Sequence, residues 1–396
     1  MSFPKMKLGE CAEIHSGSTP RTNNPDFWDG EITWVTPKDL SKLKSKFISK
    51  TESKITQLGF DSCSTKLLPE NSVLFSSRAP IGHVAINTIP MCTNQGFKSF
   101  VPKADLLDSQ YLYYWLKANK EYLQDLGVGA TFKEISKTVI ANVEIPLPPL
   151  AEQRRIASIL DQADTLRQKR QQAIENLDQL LQTTFIDMFG DPVDNLKGLE
   201  TVALLDLCKK VTDGTHQSPK WTTEGIPFLF ISNIVDGEID YSSQKFIDQV
   251  TYDSLTKSTK IELNDILYTT VGSYGNVARV KSDQLFCFQR HIAHIKPSFD
   301  KVNPKFLEKM LSSYGVRRQA DRLVRGVAQK TLNLKDLKEI IVFNIPLVEQ
   351  NHFVQKCEVI ESLKIKSKLA LNQADDLFKS LQNQAFNGTS DRKSVV

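Results

Sequence analysis

The chain has 396 residues, 40% hydrophobic and 24% charged, with a formal net charge of +4. That length supports two domains, each with its own buried core, and so mild a basicity permits nucleic-acid binding without demanding it. No apolar run approaches the ~18 residues of a membrane span, the Met1-Ser2-Phe3-Pro4-Lys5 start lacks a signal-peptide core, and the six cysteines form no CxxC pair; this argues against a zinc ribbon or disulfide framework and for a cytoplasmic protein with reduced thiols.

In chain order, the first half opens on the turn-rich stretch Ser16-Gly17-Ser18-Thr19-Pro20. Short β-branched and aromatic runs follow at 32–36, 71–77 and 81–85, then Cys92-Thr93-Asn94-Gln95, separated by Gly, Pro, Asn and Asp turns. A helix is expected over 109–126, a turn at 129–133 and a strand over 139–146. Pro149-Leu150-Ala151-Glu152-Gln153 then opens a polar helix with no internal Pro or Gly as far as Phe189, stopped by Gly190-Asp191-Pro192.

The second half repeats these pieces in the same order. Asp213-Gly214-Thr215-His216-Gln217-Ser218-Pro219 is followed by runs at 226–230, 265–270 and 274–278, then Cys287-Phe288-Gln289-Arg290. A helix over 304–323, a turn at 326–330 and a strand over 339–346 come next. Pro346-Leu347-Val348-Glu349-Gln350 stands 197 residues after its first copy (152 to 349) and opens a second long helix, stopped at Asn387-Gly388. The blocks align with few gaps while most side chains differ. One scaffold carrying two surfaces has this pattern, and a short-repeat array does not.

The long helices carry narrow apolar stripes, Ile156, Leu160, Ala163, Leu166, Ala173, Leu177, Leu180, Thr184 and Phe353, Ile360, Leu363, Ser367, Ala370, Ala374, Leu377, Leu381. Steps of mostly three and four are heptad-like, and at 1.5 Å per residue each helix is roughly 55 Å long. A narrow stripe needs a partner. Two copies of one unit favour a pseudo-twofold tandem repeat with the two arms antiparallel; the alternative is that each arm packs on its own domain. The expected fold class is α/β (α+β): two mixed domains at 1–148 and 191–345, coiled-coil arms at 149–190 and 346–388, and a disordered tail at 389–396.

The junction Pro146-Leu147-Pro148-Pro149-Leu150-Ala151-Glu152-Gln153-Arg154-Arg155-Ile156 resembles the domain–arm signature of type I restriction–modification specificity subunits. Its second copy, Ile345-Pro346-Leu347-Val348-Glu349-Gln350-Asn351-His352-Phe353, is degenerate, with one proline lost and Phe353 for isoleucine. The two turn-rich openings, with Phe27-Trp28 behind the first and Gly225-Ile226-Pro227 behind the second, are similar to two openings of that family's target recognition domains. The resemblance covers essentially the whole chain. It implies a non-catalytic subunit that recognises a bipartite, asymmetric sequence in double-stranded DNA, one half-site per domain. It also implies arms that space the halves and dock two methyltransferase (modification) subunits, with motor–nuclease (restriction) subunits joining them. No cofactor is expected in this chain; S-adenosylmethionine and ATP would belong to those partners.

Base readout needs Arg, Lys, Asn, Gln, Ser, Thr or His on loops that reach base edges, with phosphate contacts beside them. In the first domain the candidates are Ser16, Ser18, Thr19, Arg21 and Asn23, then Ser77 and Arg78, Asn94 and Gln95, and Thr131 and Lys133. In the second they are Thr215, His216 and Lys220, Ser273, Tyr274 and Asn276, Arg290 and His291, and Arg325, Gln329 and Lys330. Singly, each is as well explained by a solvated loop or a turn cap.

Three rival readings remain. Asn24-Pro25-Asp26-Phe27 is a weak match to the Asn-Pro-Pro-Tyr/Phe tetrapeptide of amino-methyltransferases; Asp26 replaces a proline and no Phe-x-Gly-x-Gly loop precedes it, so a turn is expected. A nuclease centre from Asp26, Glu52 and Lys54 has no equivalent in the second half. His291 and His294 are expected as strand histidines. A two-domain assembly scaffold without DNA readout fits the modest charge, and salt-dependent DNA binding separates it from a reader.

Overall fold

Runs rich in valine, isoleucine and phenylalanine form short strands in both halves, as β-branched and aromatic residues favour. The computed structural model describes residues 3–129, 133–216, 218–326 and 329–387. The proposed tail, 389–396, and Gly388 lie outside the described residues. The chain divides into two units, Met1–Gln171 with Leu369–Val396, and Gln172–Lys368. Each unit therefore holds one globular domain and a part of both long helices, Leu150–Phe189 and Leu347–Asn387.

In the first unit a five-stranded sheet runs in the order Ala12–Ser16, Lys98–Pro102, Val73–Phe75, Val84–Asn87, Phe47–Ile48, antiparallel except at the last pair. A three-stranded sheet has Trp28–Val35 between Ser53–Ile55 and Cys92–Thr93, parallel to the latter. Lys5–Lys7 pairs with Glu144–Pro146 just before the first long helix.

The second unit repeats this order. Its four-stranded sheet runs Cys208–Asp213, Ile292–Pro297, Ile266–Thr269, Val277–Arg279. Ile226–Leu229 lies between Phe246–Ile247 and, in parallel, Cys287–Phe288. Thr201–Ala203 pairs with Ile341–Phe343 before the second long helix. The expected mixed α/β class and tandem repeat are both present.

Several boundaries differ from expectation. The helix over 109–126 is two, Ser109–Ala118 and Lys120–Asp125, broken at Asn119, whose amide donates to the Trp115 carbonyl. The helix over 304–323 is also two, because Ser313 accepts from the Val316 N–H and starts a new one. The strand over 139–146 is a helix, Lys137–Ala141, capped by Ser136, followed by the shorter strand. The strand over 339–346 contracts to Ile341–Phe343.

The arms pair antiparallel. In the first unit, the start of the first helix (Ile156, Ala157, Leu160) shares a core with the end of the second (Phe378, Phe386), and Arg167 Nε lies 2.5 Å from Asp375. In the second unit, Phe185 and Phe189 share a core with Phe353, Val354 and Cys357, and Lys364 pairs with Asp178. The predicted stripe is partly misphased: Leu166, Leu180, Leu363 and Leu377 are exposed, while Asp164, Ile174 and Phe378 are buried. A straight α-helix drifts ~20° per heptad from a 3.5-residue repeat. The arms also pack on domain residues, so the stripe serves both: Tyr111 meets Phe386 at 5.4 Å and Tyr114 meets Phe378 at 6.2 Å.

A buried charge group anchors the second unit's sheet. Asp265 and His294 side chains are 3% and 2% exposed and lie 2.6 Å apart, with Lys296 Nζ 2.9 Å from the same carboxylate oxygen. Burial pushes the Asp265 carboxyl up, but its contacts with His294, then Lys296, prevail and hold it below the ordinary 3.8. A carboxyl depressed in the folded state adds stability above its unfolded value and loses it as pH falls through the folded one. Denaturant melts of this unit are therefore expected to weaken below about pH 4, with Asp265→Asn less stable at neutral pH and less acid-sensitive. Parallel acid limbs for the two proteins would contradict this.

Candidate nucleic-acid interface

Four loops converge in each unit, and the same backbone hydrogen bonds join them. In the first, Gly17 N–H donates to the Phe97 carbonyl at 3.4 Å and Ser18 N–H to that of Thr93 at 3.0 Å. Ser77 N–H reaches the Gly96 carbonyl at 2.7 Å, and Ile135 N–H the Ser77 carbonyl at 3.0 Å. In the second, Gly214 and Thr215 N–H groups donate to the Ile292 and Phe288 carbonyls at 3.2 and 3.1 Å. Thr270 N–H then donates to His291 at 2.9 Å, and Leu332 N–H to Thr270 at 2.8 Å.

Glycine is required at the first crossing of each assembly. A Cβ on Gly17 would lie 1.9 Å from the Asn94 carbonyl oxygen, and one on Gly214 would lie 2.3 Å from that of Phe288. The tryptophans behind the first opening support it: Trp34 Nε1 donates to the Ser18 carbonyl at 3.1 Å and Trp28 Nε1 to that of Arg21 at 3.2 Å. Their rings meet edge-on at 5.0 Å.

The candidates of the first unit are brought together at these loops. Ser16, Arg21, Asn23, Gln95 and Lys133 are exposed; Ser18, Thr19, Arg78 and Asn94 are half-buried. Thr19 donates its hydroxyl to Gln95, and Asn94 Oδ1 accepts from Gly96 N–H at 2.9 Å. Ser77 is a correction: it is fully buried and its hydroxyl donates to the Gly96 carbonyl at 3.1 Å, so it fixes the crossing from inside. Thr131 lies outside the described residues.

In the second unit His216, Lys220, Ser273, Arg290, Arg325, Gln329 and Lys330 are exposed, and Thr215, Asn276 and His291 half-buried. His216 Nε2 lies 2.8 Å from Asp213. Burial, then the neighbouring Arg290 guanidinium, hold the His291 imidazole below its ordinary 6.5, which leaves it neutral near pH 7. Tyr274 is a second correction: it is buried, its hydroxyl donates to Asp321 at 2.7 Å, and Arg317 lies 4.3 Å over its ring. Asn276 also turns inward, its amide donating to the Ile234 carbonyl at 3.1 Å.

Some cations at the loops are paired, Arg78 with Glu134 and Arg325 with Asp336, and others are not. Among the described residues no carboxylate lies within ion-pair distance of Arg21 or Lys133 in the first unit, nor of Lys220, Arg290 or Lys330 in the second. Lys305 and Lys309, away from the loops, are both matched by Glu361. Two residues at the loops, Lys98 and Glu134, escaped sequence reasoning. Lys98 sits in a strand between Phe97 and Phe100, where its burial has no local signature.

The rival motifs resolve into structure. Asn24 caps the short helical turn Pro25–Phe27 by accepting from Asp26 N–H at 3.1 Å. Glu52 is bound by Lys38 and Lys42, and no group of three potential metal ligands exists among the described residues. His294 lies in a strand, as expected, but with a carboxylate partner that the sequence does not signal. No helix among the described residues is long and apolar enough to cross a membrane.

Comparison with known proteins follows the same lines. Residues 2–176 match the type I restriction modification DNA specificity domain. The chain is 32% identical to the type I restriction enzyme MjaIX specificity subunit of Methanocaldococcus jannaschii over 372 residues, spanning 87% of this chain and 84% of that one. It is 28% identical to the EcoBI specificity subunit of Escherichia coli over 329 residues, 76% and 69% of the two chains. A solved chain from a study of complex assembly and conformational transition in the type I R-M system aligns with TM-score 0.63 at 18% identity, over 98% of both chains. The type I S subunit from M. genitalium aligns with TM-score 0.55 at 16% identity, over 98% and 97%. At these identities the two structures establish a shared fold.

Proposed function

Because the chain belongs to the family of type I restriction–modification specificity subunits, we propose that each of its globular domains reads one half of a bipartite, asymmetric DNA site. The observation that carries this is the duplicated loop assembly with different side chains on one backbone frame. The hydrogen bonds equate Ser18 with Thr215, Gln95 with Arg290 and Gly96 with His291. Base edges are distinguished by donor and acceptor pattern in the major groove. Two frames of one shape with different donors suit two different DNA words.

The long helices serve as the constant part. A continuous hydrogen-bonded helix pair sets a distance better than a flexible linker does. Exposed apolar side chains along them, among them Leu369 at 59% and Ile365 at 60%, suit docking of two methyltransferase subunits. Catalysis, S-adenosylmethionine and ATP then belong to the methyltransferase and motor–nuclease partners, and this chain supplies the address.

Expression of the full chain with its methyltransferase partner, followed by genome-wide mapping of methylated adenines, tests the reading. The expected result is one motif of two short defined blocks separated by unspecified bases. A continuous motif refutes the bipartite reading, and methylation without any motif favours the scaffold.

A further inference from the structure

In the first unit one carboxylate stands between two cations at the loop crossing. Glu134 Oε1 lies 3.0 Å from Lys98 Nζ, and Oε2 lies 3.5 Å from Arg78 Nη1. The Lys98 side chain is only 8% exposed, whereas Arg78 and Glu134 keep 35% and 36%. The backbone fixes this arrangement. Arg78 faces Glu134 across an isolated antiparallel bridge, Glu134 and Val128 exchange both backbone hydrogen bonds at 3.0 Å, and Lys98 sits opposite Ser16. Among the described residues of the second unit nothing equivalent exists: the corresponding bridge joins Val271 to Thr331, and Ala293 lies opposite Asp213. The cluster is therefore no requirement of the shared frame.

We propose that Glu134 is a specificity-determining positioning residue of the first domain, restraining Arg78 from indiscriminate phosphate contact and aiming it at one base edge. This rests on the DNA-reading function proposed above. A guanidinium free to rotate meets any phosphate and raises affinity for every sequence alike. One held by a carboxylate leaves it only where something better is offered, such as the paired O6 and N7 acceptors of guanine. Two cations against one carboxylate still leave the crossing positive, so attraction to DNA survives the restraint. Lys98 holds the carboxylate from the buried side and keeps its second oxygen turned to Arg78.

The test measures binding of the full chain, assembled with its methyltransferase partner, to the mapped cognate duplex and a scrambled duplex across a salt series. For Glu134→Gln the scrambled duplex is expected to bind severalfold tighter, with a log-affinity against log-salt slope steeper by up to about one. The cognate-to-scrambled ratio should fall about tenfold or more. Arg78→Ala should lower the ratio too, with effects that do not add to those of Glu134→Gln. Glu134→Gln strands a buried ammonium, so Glu134→Gln with Lys98→Met is measured beside it. That double variant should keep the wild-type melting temperature and still lose discrimination. Equal weakening on both duplexes, the mark of a merely structural role, overturns the proposal, as does an unchanged ratio in the double variant. Absence of any sequence preference in the wild-type complex overturns the DNA-reading function instead.

Discussion

Leucine in place of Gln153 is expected to destabilise the first unit by roughly 3 kcal/mol, since each buried polar group left unpaired costs about 1–3 kcal/mol. Gln153 has 0% exposure, and its amide satisfies three backbone groups. Oε1 accepts from Asp108 N–H at 2.9 Å, and Nε2 donates to the Leu106 and Pro148 carbonyls, each at 2.8 Å. Asp108 is itself the cap of helix Ser109–Ala118, so one glutamine joins the start of the arm to the start of a core helix. Gln350 repeats the arrangement at 1% exposure: Oε1 accepts from Asn303 N–H at 2.7 Å, and Nε2 reaches the Lys301 and Ile345 carbonyls at 3.0 and 2.6 Å. Native-state hydrogen exchange of the core strand Val73–Phe75 reads the loss, with Gln182→Leu, on an exposed arm position, as a control within about 0.5 kcal/mol. Unchanged protection in Gln153→Leu would show that the glutamine is not a clamp.

That clamp illustrates what the sequence carried and what it hid. The repeated Glu-Gln was legible as the mark of a duplicated junction; its offset of 197 recurs at Gly17 and Gly214, and short length differences between the copies change it to 195 at Gln95 and Arg290. The succession of short strands along the chain and the extents of both arms follow from local pattern and turn chemistry, which a single sequence displays; the sheet order and the loop crossings rest on contacts between distant segments. The burial of the glutamine is not displayed there either, because two of its three partners, Asp108 and Leu106, stand 45 and 47 residues earlier in the chain. The misphased stripe has the same origin. Leu166 and Leu180 fit a heptad, yet the surfaces that decide the buried face are Tyr111 and Tyr114 in one unit and Phe306 in the other. At the candidate interface, residue type and turn chemistry were enough to put Arg78, Gln95 and Arg290 on loops, where the first is half-buried and the other two are exposed. Ser77 and Tyr274 looked alike from sequence and proved to be internal braces. Lys98 and Glu134 gave no local signal, since an ion pair across 36 residues is a property of the fold.

Phe189→Ala is expected to be the more damaging change, at about 3–5 kcal/mol for the second unit. The ring is 1% exposed and meets those of Phe185, Phe306 and Phe353 at 5.4, 5.3 and 5.7 Å. Alanine would leave a void among three aromatic rings anchored on separate helices, which cannot all move in to fill it. Phe386 stands at the equivalent place on the second arm, but it is 7% exposed, and among the described residues its ring meets one other, that of Tyr111 at 5.4 Å. Phe386→Ala should therefore cost the first unit less, and Phe189→Leu, which keeps most of the volume, roughly 1–1.5 kcal/mol. Denaturant titration with hydrogen exchange on Ile266–Thr269 separates these; a Phe189→Ala cost near that of Phe386→Ala would contradict the ranking. The consequence reaches function. The last turn of the first arm is core to the second unit, so it cannot fray without opening that core. On the DNA-reading function proposed above, a helix end locked in this way suits the arm's part as the constant element.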